Sequence, residues 1–407
     1  SMTKERLLLF ILAAALFTHI MDFMIMMPLG PQLMRLFDIS PQQFSFLVSS
    51  YSFSAGASGF LAAFLIDRFD RKTSLTFVYI GFTLGTLACA LAPTYEVLLL
   101  TRCIAGAFGG VLGALILSIV SDAIPLERRA AGIGFVMASF SVASVFGVPF
   151  GLYLATTFSW HAPFLLLGLL GVMITVLVFI YVPSMRGHIA AKSGISVWES
   201  ITSIIKVIFG RRNPLMGLLF TSMLMLGHFT IIPFIAPYMV GNVGFSEEQL
   251  TYIYLVGGGL TIFTSPMVGK LADKHGRLKV FTIFGILVMA PILVITHLPP
   301  VPLWEALIFT GLFFILANGR IVPSTTMVTS VIKPENRGSF MSIRSSIQQL
   351  SSGLAALIGG FIITETPSTI TPDAKALLNY EYVGYFALVF SVIAIIIART
   401  LRVEKGA

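Results

Sequence analysis

The sequence predicts an all-α membrane protein, with twelve transmembrane helices in two pseudo-symmetric six-helix bundles. Three observations carry the prediction. The 407 residues are 56% hydrophobic and only 11% charged, so lipid must be the solvent for most of the surface. The apolar residues gather in runs of about twenty, the length that crosses a bilayer as a helix. One charged turn, Ala63-Phe64-Leu65-Ile66-Asp67-Arg68-Phe69-Asp70-Arg71, returns as Gly269-Lys270-Leu271-Ala272-Asp273-Lys274-His275-Gly276-Arg277. Each copy lies between two apolar runs, as in a duplicated bundle with a substrate site between its halves.

The runs lie near 7–30, 44–66, 74–92, 97–121, 130–156 and 161–182, then near 215–240, 249–272, 279–298, 303–332, 338–364 and 380–398. The first is too long for a signal-peptide core and lacks a small-residue cleavage pattern, so it reads as a retained span. Residues 1–182 form the expected N-terminal bundle, 183–214 a cytoplasmic linker and 215–407 the C-terminal bundle. Within the linker Val197, Ile201, Ile204, Ile205 and Ile208 recur at helical spacing, with Glu199, Ser203 and Lys206 off that stripe. An amphipathic helix on the inner leaflet fits this pattern.

A net charge of +8 would suit nucleic acid, but the basic residues sit in short turns between apolar runs. Lys4, Arg6, Arg68, Arg71, Lys72, Arg128, Arg129, Lys270, Lys274, Arg277, Lys279, Lys333, Arg337, Arg399, Arg402 and Lys405 fall on one side; the other carries mainly Arg35 and Lys375. The linker adds Arg186, Lys192, Lys206, Arg211 and Arg212 to the basic side. The positive-inside bias then puts both termini in the cytoplasm, and no nucleic-acid partner is expected. Cys89 and Cys103 lie inside apolar runs and offer neither a disulfide framework nor metal spacing.

The repeated turn pairs an acid with a basic cluster. Asp67 and Asp273 can each bind arginines of their own turn, such as Arg277, or of a neighbouring helix and lock the cytoplasmic side; the plainer role of Arg68, Arg71 and Lys72 is to set topology, and both roles can hold together. A second repeat, Pro125-Leu126-Glu127-Arg128 against Pro334-Glu335-Asn336-Arg337, precedes the fifth and eleventh spans and adds Arg128 and Arg337 to the expected gate. Arg344, at the start of the eleventh span, joins them. In the fourth span Arg102, Gly106 and Gly110 share one helix face, where small residues admit a close partner. In the fifth, Gly147, Pro149 and Gly151 bend and pack a helix tightly enough to restrict leak, or simply kink it.

These motifs resemble those of the major facilitator superfamily, and the chain is most similar to its twelve-span drug:proton antiporter and sugar-efflux branch. Asp67-Arg68-x-x-Arg71-Lys72 matches the family's loop motif, Arg102 with Gly106 and Gly110 its fourth-span motif, and Gly147-x-Pro149-x-Gly151 its antiporter motif. Asp22, Pro28 and Pro31 resemble a first-span motif of the same exporters. Ala63 and Asp70 stand where the loop motif has glycines, which Gly269 and Gly276 keep in the second copy. The resemblance implies the major facilitator fold and transport by alternating access.

Asp22 is the foremost candidate for proton coupling. It lies midway along an apolar span with His19 one turn earlier. Burial favours a neutral acid and a nearby Arg102 favours the carboxylate, opposed effects that suit a group exchanging protons; the alternative is a static staple between two spans. Arg320 and Asn318 in the tenth span, His228 in the seventh, and Phe23 and Met26 beside Asp22 are the candidate substrate-binding residues. Flexible thioethers and aromatic faces suit varied amphipathic compounds.

The function expected is secondary active transport by a monomer in the bacterial cytoplasmic membrane, with a proton moving in and a small organic molecule moving out. Import or facilitation on the same fold is the alternative, because fold does not fix direction. A membrane-embedded enzyme or receptor is remote: the sequence has no Walker-type loop, no zinc-spaced histidines and no sizeable soluble domain. No catalytic residue, metal or cofactor is expected.

Overall fold

The computed structural model describes residues 2–189 and 194–404; Lys192 and Lys405, counted above among the basic residues, lie outside them. Among the described residues, ten helices are long and apolar enough to cross a membrane. Two more, Pro41–Ala62 and Arg337–Ile362, have 22 and 26 residues and complete the twelve spans.

That pair is rich in serine and glutamine, and its packing explains how it lives in lipid. The two helices, spans 2 and 11, lie against each other across the seam between the first six and last six spans. Ser45, Ser52, Ser346, Ser351 and Ser352 are all buried. A methyl added at Gly56 would stand 2.7 Å from Leu350, and one at Gly360 would stand 2.5 Å from Ser45. Small and hydroxyl-bearing residues thus face a closely packed partner helix instead of hydrocarbon.

Several spans are less regular than their apolar runs suggest. The first is helical over Met2–Met24, turns, and resumes as Gly30–Phe37. The seventh runs Arg212–Phe229, restarts at Ile232–Tyr238 and widens into a π turn over Met239–Val243. Pro28 and Pro31 at the first break, and Pro233 and Pro237 at the second, lack the amide hydrogen that a continuous helix needs. The ninth span changes course at Val288, between Arg277–Leu287 and Met289–Thr296.

The fifth span consists of Leu126–Met137, Ser139–Val142, a π turn over Ala143–Gly147, and Val148–Thr157. The Val148 amide closes that turn onto the Ala143 carbonyl, one residue further back than in an α-helix. Pro149 follows at once, where its missing donor is absorbed.

A short antiparallel hairpin, Thr364–Pro367 with Lys375–Leu378, joins spans 11 and 12 and is an addition to the all-helical expectation. Its turn is too short and polar to register as an apolar run. Asn242, at the end of span 7, anchors it by donating to the Leu377 carbonyl and accepting from the Leu377 amide, both at 2.8 Å.

In the connector after span 6, Val197–Phe209 is helical, with Ser196 capping it by accepting from the Glu199 amide. Ile208 is buried and Ile204 packs beside it on the core of the last six spans, while Trp198 is exposed.

Candidate functional site: a buried polar centre and its two ends

Among the described residues, Asp22 is the one acid with no solvent exposure. Its place follows from the chain: apart from Thr18 and His19 span 1 is apolar around it, and Asp22 falls on the face turned to spans 3 and 4. Arg102 of span 4 donates to Asp22 Oδ1 at 3.0 Å and to the Asp22 backbone carbonyl at 3.0 Å. Thr86 of span 3 donates to Oδ2 at 3.1 Å. The pair is therefore bridged, hydrogen-bonded and wholly buried, the condition under which an intramembrane charge is tolerable.

A tyrosine extends this network. The Arg102 guanidinium sits 4.5 Å from the Tyr51 ring centroid, a cation–π contact, and the Tyr51 hydroxyl is 2.7 Å from His19 Nδ1. His19, Asp22 and Arg102 were legible from the sequence; Tyr51 and Thr86 were not. Close backbone approach makes this meeting of spans possible. A methyl on Gly106 would stand 2.8 Å from Tyr51 Cα, and one on Gly110 would stand 2.5 Å from Ala55 Cα.

Phe23 reaches the seam. Its ring lies 5.7 Å from Tyr51 and 6.2 Å from Phe229 of span 7. Phe229 meets His228 edge-on at 5.0 Å, and His228 stacks over Phe313 of span 10 at 6.4 Å. Met26 is buried in the apolar core.

The last six spans hold a different electrostatic arrangement. Arg320 is 1% exposed and donates through Nη1 to Ser391 at 2.8 Å, yet its Nε and Nη2 lack hydrogen-bond partners among the described residues. His228 Nδ1 is likewise unpartnered, and Arg320 is within electrostatic reach of that ring. Asn318 donates to Ser265 of span 8. Arg344 lies inside the helix of span 11, is buried, and donates to Thr221 of span 7 at 3.3 Å.

The expected gate residues cluster within their own halves. Arg71 bonds Asp67 at 2.9 Å and Asp122 of span 4 at 2.9 Å. Asp70, in a position that favours glycine in the family motif, caps the third span by accepting from the Lys72 amide. It also accepts from Ser184 at 2.6 Å and from the Met185 amide at 2.7 Å. These hydrogen bonds overcome the opposing effect of burial and hold its carboxyl below the usual range.

In the second copy Gly276 makes the corresponding turn with φ +102°, a conformation that favours glycine. Arg68 donates to the Ile195 carbonyl of the linker. Arg128 pairs with Glu5 at 2.6 Å, and Asp273 with Arg277 at 3.8 Å, both at the surface. The Arg337 Nε is buried with no hydrogen-bond partner among the described residues.

Ion pairs joining the two halves lie, among the described residues, at the opposite end of the bundle, away from both termini. Arg35 grips Glu247 through two hydrogen bonds of 3.0 and 3.1 Å. Lys375 of the hairpin bridges Asp38 at 3.2 Å and Glu365 at 3.1 Å. Gln42 donates to the Ile363 carbonyl at 2.8 Å, and Phe44 packs edge-on against Phe234 at 6.2 Å. Arg35 and Lys375 stood out in sequence as isolated cations, but nothing there linked them to acids far along the chain.

In the fifth span the glycines face span 1: a methyl on Gly147 would meet Met21, and one on Gly151 would stand 2.8 Å from Ile25. Pro149 is buried between them.

A twelve-span bundle with a charged pair shut inside it, and without any sizeable soluble domain among the described residues, is the make-up of a solute carrier. The chain belongs to the Major Facilitator Superfamily, whose family model matches residues 12–319 and 217–406. It is a transporter of that family, an integral membrane protein with the family's helical fold. It is 24% identical over 346 residues to the uncharacterized MFS-type transporter YceJ of Bacillus subtilis (strain 168), covering 85% of this chain and 86% of that one. It is 26% identical over 343 residues to the inner membrane transport protein YdhP of Escherichia coli (strain K12), covering 83% and 84%. In fold it is similar to a bacterial homolog of the human lysosomal transporter Spinster in an inward-facing, unoccupied conformation, with TM-score 0.76, 14% identity and 98% of each chain covered.

Proposed function

We propose that the protein is a proton-coupled exporter of small organic molecules in the bacterial cytoplasmic membrane, with both termini in the cytoplasm. The observation that carries this reading is the isolated Asp22–Arg102 pair at mid-span. A proton arriving at Asp22 cancels the charge that holds Arg102, leaving the guanidinium to seek another partner and loosening the grip of span 1 on span 4. That is a local electrostatic change able to bias two packings of the same helices.

The two moving bodies are residues 1–182 and 215–407, tethered by 183–214, and they rock about the seam of spans 2 and 11 and of spans 5 and 8. With the termini inside, the Arg35–Glu247 and Lys375–Asp38 pairs close the outer end. The clusters around Asp67, Arg71 and Asp273 are then the elements that close the inner end in the opposite state. The bend at Gly147, Pro149 and Gly151 seals the bundle against proton leak. The organic cargo rests between Phe23, His228, Asn318 and Arg320.

The test is transport in proteoliposomes, using a compound that stabilises the purified protein in a thermal-shift screen. An imposed inward proton gradient should drive that compound outward in the wild type, and Asp22→Asn should abolish the coupled component. Accumulation down the same gradient would make the protein an importer; undiminished gradient-driven export by Asp22→Asn would remove Asp22 from the mechanism.

A further inference from the structure

The two halves treat their buried arginines unequally. Arg102 is met by a carboxylate, a backbone carbonyl and an aromatic face, with its Nε alone unmatched among the described residues. Arg320 is as deeply buried, and its one described hydrogen-bond partner is the Ser391 hydroxyl. That hydroxyl spends its own proton on the Ala387 carbonyl. Two guanidinium nitrogens of Arg320 and Nδ1 of His228 are left unmatched in a region shielded from water. Arg344 also lacks an acid among the described ion pairs. Among the described residues, the first six spans balance their buried charge internally, whereas the last six hold two buried guanidinium groups with no acid against them.

Leaving a buried guanidinium unpaired is among the costliest arrangements a membrane bundle can keep. Such a group is retained where something else supplies the anion for part of the cycle. The surroundings indicate what else that molecule carries. Phe229 and Phe313 flank His228, and Phe23 and Tyr51 continue the aromatic surface to Arg102. An oxyanion fits the planar donor fork of Arg320, and an apolar body fits the rings.

We propose that Arg320, assisted by His228, is the receptor for a carboxylate or phosphate group on the transported molecule, so that the cargo is an amphiphilic organic anion. This rests on the transport reading above and narrows it to a substrate class. It also links the cargo to the proton site, because the rings between His228 and Tyr51 form one continuous contact path.

Calorimetric titration of the purified full-length protein tests the proposal at equilibrium, with no gradient and so independently of export. The probes are 4-phenylbutyrate and 4-phenylbutyl phosphate against 4-phenylbutanol and 4-phenylbutylamine, which share the ring and a four-carbon chain and differ in the head group. At least one anionic probe should bind about tenfold or more tightly than the alcohol and the amine, the worth of one charge-assisted contact. Comparing the carboxylate with the phosphate shows which oxyanion is preferred. Arg320→Gln should erase the anion preference, and Arg320→Lys should keep part of it.

Equal or tighter binding of the amine or alcohol, failure of both anions to bind, or an undiminished anion preference in Arg320→Gln would each overturn the assignment. The wild-type comparison stands even if a variant folds poorly. Any of these failures would leave the Asp22 transport experiment intact.

Discussion

At the scale of single residues, paired and unpaired buried charge give opposite forecasts. Arg102→Gln strands Asp22 in a dry environment and should cost about 3–5 kcal/mol, as for other broken buried pairs. Adding Asp22→Asn to that variant should recover part of the loss, because both charges are then gone. Arg320→Gln removes a cation with no described acid partner, so the ligand-free protein should melt no lower than the wild type. Thermal melting in detergent compares the four proteins; a large destabilisation by Arg320→Gln would reveal an anionic partner in the resting protein.

Asp70 gives the pH forecast. Its native carboxyl titrates below its unfolded value, so its contribution is fully present above about pH 4, the ordinary aspartate range, and fades as pH falls through the native value. Protection of the amides in residues 183–189, corrected for the intrinsic exchange rate at each pH, should fall on acidification below that range. Asp70→Asn, which keeps one acceptor oxygen but loses the charge and the second oxygen needed to serve both Ser184 and Met185, should show lowered protection already at neutral pH. Identical exchange in the two proteins at pH 7 would rule out Asp70 as the linker's anchor.

Among whole elements, close helix contacts decide which glycines are replaceable. Gly110→Val would drive a branched side chain into the Ala55 backbone of span 2 and should cost at least about 1–3 kcal/mol by overpacking. Gly113 lies one turn away on the same helix, and an added methyl there meets nothing within 4 Å. Gly113→Ala should therefore be neutral or slightly stabilising, by up to about 1 kcal/mol from helix propensity. Melting curves of the two variants check the contrast, which disappears if span 4 does not dock closely on span 2.

How much of these elements could be read beforehand depended on the physics that marks them. Long apolar runs announce spans, and a lone Asp22 or Arg102 inside such a run announces itself. The partners Thr86, Ser391 and Thr221 carry no comparable signal, because a Ser or Thr hydroxyl in a membrane helix can satisfy itself on the preceding turn whichever way it faces, and Tyr51 reads as one more aromatic in its span. The breaks after Met24 and Phe229 arise from prolines visible in sequence, but whether a proline kinks a helix or interrupts it depends on the neighbours that take up the freed carbonyls. The hairpin at Thr364–Leu378 was hidden because its strands have four residues each and no apolar run.

For the molecule as a whole, duplication explains the architecture while divergence between the copies explains the asymmetry. The charged turn survives in both halves, built once with Asp70 as a side-chain cap and once with Gly276 at positive φ. Contacts between halves were the least legible feature, since Arg35 and Glu247 are 212 residues apart and Asp38 and Lys375 are 337 apart. Each such surface pair is worth roughly 0.2–1 kcal/mol. Glu247→Gln with Asp38→Asn should therefore shift the balance between the two end states by several-fold without unfolding either. Electron-spin distances between labels on the outer ends of spans 2 and 8 would lengthen in that double variant.

The same labels, followed across pH in the wild type and in Asp22→Asn, give the most direct test that proton occupancy of Asp22 selects the packing of the two bodies. The wild type should move between two distance populations as pH changes, and Asp22→Asn should hold one population throughout. A wild-type distribution indifferent to pH, or an Asp22→Asn protein that still shifts, would contradict that claim.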